Sequence, residues 1–507
     1  MQRLTNRFAN QSGVPDSGSR KQVICSTAVY SIVLITLAAI AVRLTISFSH
    51  HLILGMDGGY YPLQVRNILN TGHLSFNDVP LYFYFCALIL KIIALFGFVS
   101  TNETIISVIK IIDSTMFPLL AIPLFMIFSR IGNKIPYFAR FALLIFAVFS
   151  LSPFIMLGDL QKNAFAIPFL FLFIYLFEGY LSSGEKRKLL MALATMLIIA
   201  LTHFGVFVFS LAFFTIALFV VYREKAILPS ILILLTGFSV ICVFDASRAL
   251  RLITFWNVIF EDFDSIRELL QLPLLVNTLF SCFLVVFSIF QYRKIRRGTD
   301  IASRNMIVIL IILLVIFAFP FYETQYVHRF NLLLFIPQIL LLTYLIRIDQ
   351  KFARLFSFSL VLLTTFSIFS YFSEAKKPVI DDQEFHDLQN INAYLPDNKD
   401  STIIIARHGL EFWTAWALNV KVANDRAIDQ LAVDKYNNMT ILQQKSGIGE
   451  RPPGSRPPSQ PPLAGVGRSQ ERPPMGRPDG PPMGFHLPEN YKLVYSSPYF
   501  NAYKNLN

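Results

Sequence analysis

Eight residues at a few outer positions of this chain have the chemistry for group transfer. The first is Asp57 in "LGMDGGYY", Leu54 to Tyr61, directly after the first long apolar run. A carboxylate there can take a proton from a hydroxyl held within hydrogen-bond reach. Asp beside Gly-Gly is also an ordinary turn former, so both readings stand at this stage. The paired Tyr60 and Tyr61 give the same loop aromatic surface for a substrate. Asp159 in "LGDLQKN" is the second carboxylate. It reads either as the N-cap of a helix from Leu160 or as a partner facing Asp57 across an outer cavity. Two hard oxygen ligands on separate loops, Asp57 and Asp159, would suit Mg2+ or Mn2+ better than zinc. Lys162 offers a charge for a phosphate, or a side chain that snorkels. His203 in "LTHFG" lies between two apolar runs, as a polar suspect or as a turn histidine. His328 and Arg329 follow Glu323 in "YETQYVHRFN". The Arg329 guanidinium stays charged and can fork onto phosphate oxygens; the plain alternative is an interfacial anchor.

The elements that must position these groups are apolar. The chain has 507 residues, 54% hydrophobic and 15% charged, with 50 Phe. Soluble domains carry about a quarter charged residues. Apolar runs near 23–46, 80–98, 105–128, 138–156, 164–181, 189–203, 205–222, 227–244, 273–291, 305–321, 330–346 and 355–372 predict a polytopic helical membrane bundle. The first run is too long for a signal-peptide core and lacks a small-residue cleavage site, so a retained span is expected. The net charge of +12 reads as loop bias toward the cytoplasm, not as a nucleic-acid surface. The Lys/Arg clusters at 3–21, 130–140, 186–188, 223–225, 293–304 and 347–354 fall on one side only if one run fails to cross. That run is 80–98, "PLYFYFCALILKIIALFGF", with Lys91 at its middle. The expectation is therefore about 11 transmembrane helices in residues 23–372, after a cytoplasmic tail 1–22, with 47–104 a large outer loop. In that loop Pro62 suits a first helical turn, Tyr61, Val65, Ile68 and Leu69 share a face, and Gly72 supplies a stop. The C-terminus is then extracytoplasmic.

Hydrophobicity collapses after Tyr371, and residues 373–507 predict a small extracytoplasmic α/β domain. "STIIIA" (401–406) reads as a strand, "EFWTAWAL" (411–418) as a short helix, and 492–504 as a terminal hairpin. Residues 449–484, crowded with Pro and Arg, cannot bury a core and read as a disordered insertion. The amphipathic stretch 245–272 reads as a possible lid. Phosphate-cradling Gly loops, Cys/His zinc patterns and Ser nucleophile elbows are missing, so an activated substrate would be lipid-borne.

The layout resembles the GT-C superfamily of integral-membrane glycosyltransferases, such as protein O-mannosyltransferases, the lipid A aminoarabinose transferase and oligosaccharyltransferase catalytic subunits. "MDGGYY" resembles the first outer loop, "LSPFIMLGDLQKNAFAIPFLF" the second, "LTHFG" a later span pair, and "HRFNLLLFIP" the Arg-then-Pro span. Two departures stand out. The first loop has a single Asp followed by Gly, where many members have a second acidic residue. The WWD-type motif of oligosaccharyltransferases is absent from the tail. The resemblance implies inverting transfer of one sugar from a polyprenyl-phosphate donor to a glycan, lipid or protein acceptor at the outer face. In that scheme Asp57 is the base, Asp159 supports it or a metal, and Arg329 with His203 stabilises the departing phosphate. Two other functions fit the composition: a transporter or flippase of lipid-linked glycans, and a non-catalytic assembly protein of the envelope.

Overall fold

The computed structural model describes residues 18–97, 99, 101–131, 135–244, 246, 250, 272–320, 322, 324–373, 376–396, 398–425, 438–445 and 491–505. The Pro-rich segment 449–484, most of the amphipathic stretch 245–272, Glu323 and most of the N-terminal tail lie outside them. The chain divides into two compact units, one of residues 1–57 and 61–377, the other of 58–60 and 378–507.

The first unit is helical. Its helices are α1 Gly18–Ser47, α2 Tyr60–Thr71, α3 Leu81–Leu95, α4 Asn102–Met116, α5 Ala121–Ile131, α6 Tyr137–Phe149, α7 Leu151–Met156, α8 Gln161–Ser183, α9 Lys186–Thr202, α10 Phe204–Tyr222, α11 Ile227–Phe244, α12 Leu272–Phe290, α13 Tyr292–Gly298, α14 Ile301–Phe317, α15 Thr324–Asn331, α16 Phe335–Ile348 and α17 Ala353–Ser373. Local chemistry sets several boundaries. Thr101 accepts from the Thr104 N–H at the start of α4. Asp300 accepts from the Ser303 N–H at the start of α14. Gly184, at φ 69°, ends α8 in the left-handed region that glycine enters without a Cβ penalty.

Eight segments among the described residues are long and apolar enough to cross a membrane: Val29–Ser47, Asn102–Ile131, Tyr137–Met156, Gln161–Ser183, Phe204–Tyr222, Ile227–Phe244, Tyr326–Ile348 and Gln350–Ser373. Leu81–Leu95, Leu274–Phe290 and Ile301–Phe317 are shorter apolar helical stretches. Helix α3 has 15 residues, about 22 Å at 1.5 Å per residue, short of the ~30 Å hydrocarbon core. Lys91 on it is exposed. Tyr326–Ile348 is 89% buried inside the protein and Ile227–Phe244 only 17%, so the former is a central post and the latter sits at the periphery. The mainly aliphatic core carries close aromatic pairs: Phe177 meets Phe214 at 4.6 Å between ring centroids and Phe209 meets Phe317 at 4.8 Å.

Several buried polar groups are paired across helices, which offsets the cost of removing them from water. Tyr344 donates to Glu178, with Arg130 at 3.9 Å from the second oxygen. Asn277 donates to Asn331 at 2.6 Å, and Gln338 donates to Asn277 and Ser281 at 2.8 and 2.9 Å. These amides tie α12, α15 and α16 together where apolar packing alone would leave the register open.

In the second unit, α18 Asp382–Asn390 precedes β1 Thr402–Ala406, α19 Leu410–Leu418, β2 Lys421–Asn424, β3 Asn438–Gln444, β4 Tyr491–Ser496 and β5 Phe500–Asn505. The sheet order is β2-β1-β3-β5-β4. Strand β1 is parallel to both neighbours, with Ile403 opposite Lys421 and Met439, while β5 is antiparallel to β3 and β4. Every residue of β1 is buried, as expected for a parallel strand covered on both faces. Trp413 and Trp416 of α19 are buried as well. A reciprocal capping box starts α18: Glu384 N–H donates to Asp381 and Asp381 N–H to Glu384.

Gln444 of β3 donates to the same Glu384 at 2.6 Å. Burial raises the Glu384 carboxyl above the usual glutamate range, against the lowering pull of the Gln444 amide and the Asp381 N–H. The folded chain thus binds this proton more tightly than the unfolded chain. The linked stability is full below the unfolded value and is lost as pH rises through the raised folded value. Hydrogen exchange at β3, corrected for intrinsic rates, should show protection increasing as pH falls through that window. Glu384→Gln keeps an acceptor for Gln444 and should flatten the dependence; an unchanged slope in that variant would assign it to another group.

Candidate active site

The loop carrying Asp57 is shaped by glycine. Gly55 has φ +85°, and its N–H donates to the Lys377 carbonyl at 3.0 Å. A Cβ built on Gly55 would lie 2.1 Å from Asp159 Oδ1. Gly158, at φ +84°, faces the same loop from the other side, and its Cβ would lie 2.4 Å from the Leu54 carbonyl oxygen. The two loops therefore touch through paired positions that admit no side chain.

That close approach lets Asp159 reach across. Its Oδ1 accepts the Asp57 backbone N–H at 2.9 Å, and its Oδ2 pairs with Lys376 Nζ at 2.9 Å. Helix α8 starts at Gln161, and Leu160 before it makes no side-chain cap bond. Asp159 is thus not a helix cap, and it meets the backbone N–H of Asp57, not a carboxylate facing it across a cavity. The joint runs through the backbone of residue 57. Asp57 itself is half-buried.

Tyr61 is a brace. Buried to 3% exposure, its hydroxyl donates to the Asp159 carbonyl at 2.7 Å and accepts from Gln161 N–H at 3.2 Å. Tyr82 of α3 donates to Gln161 Oε1 at 2.6 Å, and Gln161 Nε2 donates to the Gly158 carbonyl at 3.0 Å. The expected surface helix, α2, buries Tyr61, Val65 and Ile68, and Gly72 ends it at φ +80°. Lys162, a candidate for phosphate, is buried and ion-paired with Asp78, 5.5 Å from the Phe83 ring centre. Its charge holds the 73–80 segment to α8.

Beneath the loops lies a layer that the sequence reading did not single out. Asp113 Oδ2 accepts the Gly158 N–H at 2.8 Å. Asp113 Oδ1 faces Arg43 Nη2 at 3.4 Å, both side chains being 1% exposed. Arg43 also donates to the Pro153 and Asp113 carbonyls at 2.6 and 3.1 Å. Lys110 caps the entry to the loop, donating to the His50 and His51 carbonyls at 2.6 and 2.8 Å. The signal was present: Lys110 and Asp113 stand inside an apolar run, where charge is costly and rarely idle.

The remaining candidates sit on other elements. His203 is the N-cap of α10, its Nδ1 accepting from Val206 N–H at 3.2 Å. In the neutral ring this places the proton on Nε2. His328 and Arg329 fall in the last turn of α15, with Arg329 exposed. Tyr60 belongs with the second unit, its ring edge-on to Phe412 at 5.1 Å between centroids. Gly59 lies there too, with room for no Cβ: one would sit 2.9 Å from the Trp413 backbone nitrogen.

Gly55→Ala tests the close approach. The residue must hold a positive φ, which costs a non-glycine about 1–2 kcal/mol, and must also push the Asp159 carboxylate off the Asp57 N–H. Gly72 has nearly the same φ but nothing within 4 Å of a built Cβ. Gly72→Ala should therefore show the backbone cost alone, and Gly55→Ala a distinctly larger drop in thermal stability. Equal drops would mean that the loop contact contributes nothing.

The chain thus combines a long helical unit with membrane-length apolar segments, an acidic loop after its first helix braced by a second acidic loop, and a small α/β unit. Solved structures share the fold. The oligosaccharyltransferase of Archaeoglobus fulgidus, in complex with Zn and sulfate, aligns over 81% of this chain and 67% of its own at a TM-score of 0.53 and 13% identity. The same enzyme tethered by a disulfide to an acceptor peptide containing the NVT sequon aligns over 82% of this chain and 69% of its own at 0.51 and 12%. At such identity the likeness is one of fold. No protein-family model matches the chain, and no curated protein does.

Proposed function

We propose that this chain is a membrane glycosyltransferase that moves a single sugar from a polyprenyl-phosphate donor to an acceptor at the extracytoplasmic face, with inversion. The observation that carries the reading is the Asp57 loop itself, held by Asp159 across paired glycines within a fold shared with an oligosaccharyltransferase. In the proposed step the Asp57 carboxylate takes the proton of an acceptor hydroxyl. That oxygen bonds to the anomeric carbon from the face opposite the leaving group. The bond from carbon to phosphate oxygen breaks, and its electron pair leaves with the polyprenyl phosphate. Arg329, with the His203 Nε2–H and His328, meets the negative charge that grows there. Tyr60 offers the acceptor an aromatic surface.

The acceptor class is glycan, lipid or protein; the neighbour solved with an acceptor peptide lends support to the protein option. Absence of a WWD-type motif favours single-sugar transfer over en bloc transfer to Asn. The proposed topology has about 11 crossings, with the N-terminus in the cytoplasm and residues 373–507 outside. Deletion of the gene should make one polyprenyl-phosphate sugar accumulate, read by mass spectrometry of extracted lipids. An unchanged lipid-linked sugar pool would remove the donor assignment.

A further inference from the structure

A divalent ion between two loop carboxylates needs hard oxygen ligands with lone pairs open to it and no competing cation. Asp57 and Asp159 do not fit that requirement. Asp159 Oδ1 accepts the Asp57 N–H at 2.9 Å, and Oδ2 holds the Lys376 ammonium at 2.9 Å. A full positive charge already rests on the oxygen that an ion would take, and would repel it. Lys376 is itself fixed: it donates to the Ile155 and Leu157 carbonyls at 2.7 and 3.3 Å. With Asp159 these make three partners for the three N–H bonds of an ammonium. The two carbonyls belong to the C-terminal end of α7, where the helix dipole favours a cation. Among the described residues no group of three or more His, Cys, Asp or Glu gathers to hold a metal.

We propose that the Lys376 ammonium does between these loops what a divalent ion does elsewhere. It neutralises Asp159, and Asp159, through the Asp57 N–H, sets the loop that presents the Asp57 carboxylate. Lys376 is then a positioning residue, and transfer proceeds without an added divalent ion. The inference deepens the transferase reading above and rests on it, but its binding half can be decided without any activity.

Mn2+ titrated into the purified full-length protein, with free aquo-ion followed by electron paramagnetic resonance, should reveal no saturable one-to-one site in the micromolar range. One such site in the wild type, lost in Asp159→Asn, would overturn the inference. In liposomes the wild-type transfer rate should be unchanged by EDTA. Loss of transfer in EDTA with recovery in Mn2+ or Mg2+ would likewise overturn it. Lys376→Gln should lower kcat about 10²-fold, the scale of a misplaced reacting group, with the donor KM little changed. Lys376→Arg should recover most of that loss. Asp159→Asn combined with Lys376→Gln should be less impaired than Lys376→Gln alone, because Asn still accepts the Asp57 N–H and no unpaired charge remains. A Lys376→Gln enzyme with wild-type kcat would dismiss the positioning role. Should the wild type transfer no sugar from any polyprenyl-phosphate donor, the transferase reading fails while the Mn2+ result still stands.

Discussion

If Asp57 is the base of the proposed transfer, Asp57→Asn should lower sugar transfer by about 10²–10⁴-fold, the range that a positioned acid–base group contributes, and should leave the backbone anchor of the loop in place. The expectation follows from how residue 57 is held. Its anchoring bond to Asp159 uses the backbone N–H, which asparagine retains. Gly55 and Gly158, whose geometry sets the loop, are untouched. The substitution therefore removes the carboxylate's basicity and keeps the backbone anchor to Asp159. Asp159→Asn makes the useful contrast, because it alters the anchor and keeps the base. If Asp57 is the base, its loss should fall on kcat, and raising the pH should not restore it. Undiminished transfer by Asp57→Asn, at equal protein level in the membrane, would end the proposal for this residue.

The loop motif was legible because glycine and aspartate are chemically conspicuous. "LGMDGGYY" shows an acid in a flexible setting, and "LGDLQKN" again sets an aspartate beside a glycine. The hidden part was direction. Sequence cannot say that Asp159 reaches 102 residues back to a backbone N–H instead of capping its own helix. Nor can it say that Lys162 turns to Asp78. Lys376 was invisible for another reason: it stands just past the last apolar run, where a lysine reads as an ordinary interfacial charge. The strand at 402–406 and the helix at 410–418 were read closely, because the run of buried isoleucines and the following Trp-rich turn carry strong local signals. Span length was harder. Apolar composition marks a helix in a membrane protein, but α9 and α14, at 17 residues each, show that composition does not fix how far a helix extends.

The second large effect belongs to the pair under the loops. Asp113→Ala should destabilise the protein by about 3–5 kcal/mol, the cost of leaving one charge of a buried pair without its partner. Two losses coincide there. Arg43, 1% exposed, keeps a charge with no carboxylate to meet it. Its Nε already has no hydrogen-bond partner, so the guanidinium has little reserve. The Gly158 N–H loses its acceptor, worth about 1–3 kcal/mol for a buried donor. Arg43→Met together with Asp113→Leu removes both charges, and by the same reasoning should recover most of the ionic part. It should not recover the Gly158 term, since leucine cannot accept a hydrogen bond. A double-mutant cycle on thermal unfolding in detergent separates the two contributions. The residual defect also reaches function. Gly158 adjoins Asp159, so slack there loosens the bond to the Asp57 N–H, and the double variant should transfer more slowly than its recovered stability suggests. If instead Asp113→Ala unfolds at the wild-type temperature, the pair is not the foundation of the loop, and the close approach of residues 54 and 158 must be maintained by packing alone.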